Sequence, residues 1–291
     1  MTALAPPAVR VDKRTTAPGG RSGPVAWMAV PALLMFLAFG VVPLIGVLAL
    51  SFTTWDGIGE IVPSGFDSWR AVIGDPGLLH ALWVTFLIMA LSWLAQTPLS
   101  LLIGVFLAGH QRYREILAVL FFLPLLLSSA ALAITYKALL DPNFGLGAGL
   151  GIPLLSQDWL GRGNLALGVL VFVVSWQFIP FHSLIYQGGV RQIPHSLYEA
   201  SQLDGAGRIR QFFSITLPQL KYTIITSSTL MVVGSLTFFD LIFVLTAGGP
   251  GDATRALALD MYQRGFQASL YGPASAIAVI LVLVGLGLAL L

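Results

Sequence analysis

The chain is patterned in long apolar blocks. It lacks the period-two alternation of half-buried strands and the charged faces of water-exposed helices. Stretches free of Asp, Glu, Lys and Arg cover residues 22–55, 76–111, 116–136, 163–190 and 265–291, and a further stretch, 222–246, is interrupted only by Asp240. A hydrocarbon core about 30 Å thick is crossed by about 20 helical residues, so each block is long enough to span a bilayer. Continuous apolarity selects helices over a barrel, whose strands alternate apolar and polar positions. The pattern predicts an all-α membrane protein of about six transmembrane helices. Pro43, Pro98, Pro124 and Pro180 fall inside the blocks and predict bent helices.

Composition agrees. Hydrophobic residues make up 56% and charged residues 10% of the 291, with a mean hydropathy of +0.86. Soluble domains carry about 25% charged residues, so the main solvent of this chain is lipid. The Pro/Gly/Thr-rich residues 1–23, with Arg10, Lys13, Arg14 and Arg21, read as a disordered cytoplasmic tail, and residues 24–291 as one transmembrane domain. Trp27, Trp55, Trp69, Trp83 and Trp159 lie near block ends or in loops, as in an interfacial aromatic belt. The glycine-rich run from Gly145 to Gly151 lacks a strand–helix setting and reads as a flexible outer loop.

Charge placement sets the topology. With the N-terminus inside, ten Lys and Arg fall on the cytoplasmic side: Arg10, Lys13, Arg14, Arg21, Arg112, Arg114, Arg191, Arg208, Arg210 and Lys221. Five fall outside: Arg70, Lys137, Arg162, Arg255 and Arg264. The bias predicts a multi-pass protein with both termini inside.

Several chemistries are excluded. Without cysteine there is no disulfide, thiolate or Cys-based metal site. No paired carboxylates, HExxH or Ser/His/Asp cluster lies in the blocks, so no catalytic residue, metal ligand or nucleic-acid surface is expected. The only lysines, Lys13, Lys137 and Lys221, do not follow glycine, so no P-loop is present. ATP hydrolysis, if used, belongs to another chain.

The most informative polar segment is the loop at residues 191–218. Ile193-Pro194-His195-Ser196 opens a short helix, with Ser196 as N-cap and Glu199 in capping-box spacing. Leu197, Ala200 and Leu203 form a narrow apolar stripe at helical spacing. Asp204-Gly205 breaks the helix, a second runs from Arg208 to Phe213, and Pro218 ends the irregular part. Such a small-residue stripe suits a protein groove better than a membrane surface.

This loop resembles the EAA motif of binding-protein-dependent ABC importer permeases. The pattern is EAA, three residues, G, nine residues, I, one residue, L-P. It is met by Glu199-Ala200-Ser201, Gly205, Ile215 and Leu217-Pro218, with Ser201 in place of the second alanine. Asp204-Gly205-Ala206 is similar to the sugar-importer branch. So are Trp176 with Pro180-Phe181, the segment from Phe239-Asp240 to Thr246-Ala-Gly-Gly-Pro250, and Gly272-Pro-Ala-Ser-Ala276. The resemblance covers roughly residues 27–291 and is to the first permease of the maltose, glycerol-3-phosphate and multiple-sugar group. Two departures stand out: no large extra periplasmic domain is present, and the chain stops within the last block.

The resemblance implies a type I ABC importer permease fold with a cytoplasmic coupling helix. It implies a second homologous permease, two ATPase subunits holding ATP and Mg, an extracytoplasmic sugar-binding protein, and a di- or oligosaccharide as substrate. No cofactor is expected on this chain. Tyr198, Glu199, Ala200, Ser201, Asp204, Gly205, Ala206, Ile215, Leu217 and Pro218 are implied in ATPase coupling, and a large residue at Ala200 is expected to uncouple transport from hydrolysis.

Substrate-path candidates are Thr226, Thr229, Thr237 and Asp240 on one face of the fifth block, with Tyr136, Trp176 and Gln177 from neighbouring blocks. Intrahelical bonding is the alternative for the threonines. Asp240 is expected to serve sugar contact, or a structural ion pair or helix cap with the other permease. Two other classes remain: an ion-coupled secondary transporter using Asp240 and His182, and an ABC permease for a non-sugar solute.

Overall fold

The computed structural model describes residues 26–109 and 111–290. The expected tail, 1–23, with its four basic residues, lies outside the described residues. Contacts divide the chain after Gly46 into two units.

Helix α1 (Trp27–Leu50) makes up nearly all the described residues of the first unit, and its last turn belongs to the second. Its side chains include exposed Trp27, Phe36 and Phe39, suited to lipid. A π-turn at Leu37–Val41 precedes Pro43, and the Val42 N–H bonds the Leu37 carbonyl five residues back. Proline offers no N–H and crowds the preceding turn, which the wide turn relieves. The same device recurs at Phe212–Thr216, two residues before Pro218, where the Leu217 N–H reaches the Phe212 carbonyl.

In the second unit a two-residue ribbon, β1 (Thr53–Thr54) with antiparallel β2 (Val62–Pro63), precedes α2 (Asp67–Ile73). Helix α3 (Pro76–Leu107) starts where Asp75 accepts the Gly77 N–H at 2.8 Å. Next come α4 (Arg112–Leu126), α5 (Ser129–Leu139), α6 (Leu146–Leu150) and α7 (Gly163–Arg191). Helices α8 (His195–Leu203) and α9 (Arg208–Gln211) form the polar loop. The chain then enters α10 (Lys221–Ser235), α11 (Asp240–Leu245), α12 (Leu257–Tyr262) and α13 (Tyr271–Ala289).

Helices α3 and α7 form the spine. Along α3, Ser92, Gln96, Ser100 and Gly104 recur every fourth residue and are buried. Such small and polar stripes let helices approach closely in lipid, where hydrophobicity alone gives no association. At Gly104 a Cβ would come within 2.7 Å of the Ser183 carbonyl and Tyr186 Cβ on α7. The two helices run parallel. Val84 and Ile88 pack with Val169–Val174 near their starts, and Gln187 donates to the Leu107 carbonyl at 2.8 Å near their ends. Parallel neighbours require one return crossing between them, and α4 with α5 supplies it.

By length and apolarity, α1, α3, α7 and α13 each qualify as spans among the described residues, and α4 with α5 as a fifth, bent by 92°. The expected block at 116–136 is therefore a broken span. Pro124 lies in the last turn of α4, Leu127 is extended, and the Ser128 hydroxyl accepts the Ala131 N–H at 3.2 Å, starting a new helix.

The expected block at 222–246 is also broken, at 236–239, leaving α10 with 15 residues. That length rises about 22 Å, short of a bilayer core. The Ser235 and Thr237 hydroxyls donate to the Val232 and Gly234 carbonyls at 2.7 and 2.8 Å, competing with helix continuation. Asp240 then begins α11. Pro98 and Pro180 sit inside uninterrupted helices.

One loop expectation changes. The glycine-rich run forms the helical turn α6, closed by Gly151 at φ 66° and seated with Gly147 against Leu155 and Ser156. Trp69 and Trp159 are partly buried and pack against buried clusters.

Candidate coupling loop and translocation cavity

Helix α8 starts two residues earlier than expected. Pro194, extended at ψ 129°, occupies the N-cap, so Ser196 lies inside the helix and caps nothing. Glu199 instead meets His195 Nδ1 at 3.2 Å, one turn back. The turn after α8 is as read: Asp204 closes it, Gly205 takes φ 75°, and the Ala206 N–H returns to the Ser201 carbonyl at 2.9 Å. A left-handed residue at this point is the common helix stop that glycine permits.

The two faces of α8 differ. The inner face is tied down. The Tyr198 hydroxyl lies 2.9 Å from Thr216 Oγ1, and Gln211 Nε2 donates to Ser201 Oγ at 2.9 Å. Gln211 and Thr216 are buried. Ser201, the departure from the alanine pattern, is thus the acceptor that holds α8 onto α9. On the outer face, Leu197 and Ala200 are exposed and Leu203 is 91% exposed. Glu199 and Asp204 flank it, also exposed. Ile215 and Leu217 are half-buried, and Leu217 packs with Phe212 on Leu101, Tyr186 and Leu220, joining the loop to α3 and α7. Pro218 lies within helical backbone on both sides, so it does not end the ordered loop.

The substrate-path candidates do not converge on one place. Thr237 and Asp240 line a cavity of about 410 Å³ between α3, α7 and α10, together with Gln96, His182, Phe178 and Phe239. His182 is buried, with Nδ1 2.9 Å from Ser227 Oγ. Trp176 faces a different, apolar cavity of about 790 Å³ toward α4. It meets Tyr136 edge-on at 5.8 Å between ring centroids, and Phe172 also lies 6.0 Å from Tyr136. At about 100° per residue, positions 176 and 178 point to opposite sides of α7.

Gln177 is buried at the α4–α5 break. It accepts from Ser129 Oγ at 3.2 Å and donates to the Leu127 carbonyl at 3.2 Å, satisfying groups freed there. The Thr226 and Thr229 hydroxyls each donate to the carbonyl four residues back at 3.0 Å.

A charged cluster at the other end of the spans escaped sequence reasoning. Asp260, 1% exposed, takes Arg255 Nη2 at 2.7 Å and Arg264 Nε at 3.0 Å, and Arg264 also pairs with Asp75. The Asp260–Arg264 spacing of four was a readable helical pair. The link back to Asp75 was not, because it joins distant segments.

A family model described as the binding-protein-dependent transport system inner membrane component matches residues 96–291, more than half of the chain. The chain is 31% identical over 269 residues to the probable ABC transporter permease protein YurN of Bacillus subtilis (strain 168), covering 90% of this chain and 92% of that one. It is 30% identical over 264 residues to the multiple sugar-binding transport system permease protein MsmF of Streptococcus mutans, with 89% of each covered. It is 30% identical over 260 residues to the trehalose/maltose transport system permease protein MalF of Thermococcus litoralis, covering 87% of this chain and 86% of that one. A chain from the crystal structure of a bacterial alginate ABC transporter with an alginate pentasaccharide-bound periplasmic protein shares the fold, at TM-score 0.76 and 22% identity over 91% of each chain. On the family match and these relatives, the chain belongs to the binding-protein-dependent transport system inner membrane components and is a multi-pass permease subunit of an ABC importer with the type I permease fold.

Proposed function

We propose that this permease forms, with a second permease, the path of an oligosaccharide across a bacterial cytoplasmic membrane, and that α8 couples the path to separate ATPase chains. The carrying observation is the two-sided build of α8. Its inner face is hydrogen-bonded to the chain, while Leu197, Ala200 and Leu203 are presented outward. A leucine 91% exposed on an otherwise ordered helix suits a groove on a partner.

A push on that face is transmitted through Tyr198, Gln211 and Thr216 to the cluster of Leu101, Tyr186 and Leu220, and so to α3 and α7. Both helices also line the cavity holding Thr237 and Asp240. Its aromatic rings offer stacking to a sugar and its polar groups offer hydrogen bonds.

The sugar class is supported by the relatives, two of which are named for multiple sugars and for trehalose and maltose. ATP and Mg sit on two ATPase chains, none on this one, and an extracytoplasmic binding protein delivers the sugar. The excess of Lys and Arg on the side of α8 supports that side, and both termini, as cytoplasmic.

The test is uptake by proteoliposomes containing the assembled permeases and ATPases. The proposal expects uptake of an oligosaccharide only with ATP inside and binding protein outside. Uptake by this chain alone, driven by an ion gradient and indifferent to ATP, would establish the secondary-transporter reading instead.

A further inference from the structure

A cavity of about 630 Å³ lies where α3 and α7 end and α4 begins, beside α8 and α9. The coupling proposal uses Tyr198, Gln211 and Thr216 of its lining but none of its arginines. Its charged lining is uneven: Arg114, Arg191 and Arg208 face it, with Glu115 as the single carboxylate among the described lining residues. Three guanidinium groups around one space repel one another unless an anion joins them.

Arg114 is held in place. Its Nη1 donates to the Phe106 carbonyl, its Nε to the Tyr113 hydroxyl at 3.2 Å, and its guanidinium stands 4.5 Å from the Phe106 ring centre. Arg191 and Arg208 make no ion pair among the described residues. Planar guanidinium forks match phosphate oxygens in pairs.

The rest of the lining is apolar, with Val105, Ile193 and Phe212. The cavity also sits at the ends of two membrane-spanning helices. Free phosphate gains nothing from apolar walls, whereas a lipid headgroup with its glycerol and first methylenes does. The cytoplasmic leaflet is rich in anionic lipid.

We propose that this cavity binds the phosphate group of an anionic phospholipid through Arg114, Arg191 and Arg208. The inference rests on the proposed cytoplasmic placement of α8. His195 and Tyr198 of α8 line the same space, so a bound headgroup abuts the coupling helix and supports its seat.

The assembled transporter, purified from nanodiscs of phosphatidylcholine doped with phosphatidylglycerol, is analysed by native mass spectrometry. Retained phosphatidylglycerol is expected on the wild type, and about tenfold less on the Arg191→Gln/Arg208→Gln variant, as for loss of charge-assisted bonds. Arg191→Lys/Arg208→Lys, which keeps charge without the fork, is expected in between. Arg70→Gln, at the opposite end, is expected to match the wild type.

Equal retention by the double glutamine variant overturns the proposal. So does displacement of the lipid by millimolar inorganic phosphate, which marks a soluble-anion site. Loss of the ATPase chains with lipid unchanged also overturns it, assigning the arginines to the ATPase contact. A photoactivatable phosphatidylglycerol on the wild type keeps the test independent of variant folding: labelling within residues 105–116 and 190–212 is expected, and labelling confined elsewhere overturns the site. ATP-driven uptake is scored in parallel. Uptake without lipid retention rejects the lipid site alone, and lipid retention without ATP-driven uptake rejects the transport reading alone.

Discussion

At Gly205 one backbone angle, φ 75°, turns the chain from α8 toward α9, and a Cβ there would meet open space. The cost of a side chain is therefore conformational, about 1–2 kcal/mol for an ordinary L-residue. Gly205→Ala is expected to weaken ATP-driven uptake and to lower the melting temperature by only a few degrees. Gly205→Asn is expected to restore much of it, since asparagine tolerates this region. Asp75 shows the same economy at the other end of α3. The Gly77 amide first, and then the Arg264 guanidinium, hold its carboxyl below the usual carboxylate range. A carboxyl lowered in the folded state contributes stability above its unfolded value, about pH 4, and that contribution disappears as pH falls through the folded value. Thermal unfolding in detergent is expected to lose stability below about pH 4 in the wild type and less steeply in Asp75→Asn.

Packing of the helices rests on close approach and on a few buried polar ties. Gly104→Leu forces α3 from α7, because even a Cβ comes within 2.7 Å of Ser183 and Tyr186. A loss of about 2 kcal/mol is expected for such overpacking, read as a lower unfolding temperature. Asp260→Ala leaves Arg255 and Arg264 without their buried carboxylate, and a loss of about 3 kcal/mol is expected by the same measurement. Element by element, the sequence was informative where local rules decide. Pro76 and Gly163 begin their helices as the apolar blocks begin, and the Asp204-Gly205 stop is where the dipeptide put it. It was silent where local and global preferences conflict. Apolar content ran unbroken through residues 127–128 and 236–239, while Ser128, Ser235 and Thr237 diverted the backbone hydrogen bonds there. The π-turns before Pro43 and Pro218 answer a proline constraint that hydrophobicity does not register. Non-local ties, such as Arg264 to Asp75 or His182 to Ser227, have no signature in spacing.

For the whole molecule, parallel α3 and α7 join a membrane cavity at Thr237 and Asp240 to the loop that carries α8. The central claim is that the outer face of α8 meets an ATPase. Ser201 points inward to Gln211, so a probe there reports the loop's own packing, whereas Leu203 points away from the chain. The native chain has no cysteine to interfere. The most direct measurement places a cysteine at Leu203, co-expresses the permease with its ATPase carrying single cysteines along its docking groove, and follows disulfide cross-linking with and without ATP. The account predicts a cross-link whose yield changes with nucleotide. A correctly inserted and folded chain giving no cross-link at Leu203, nor at Ala200 or Gln202, would contradict it.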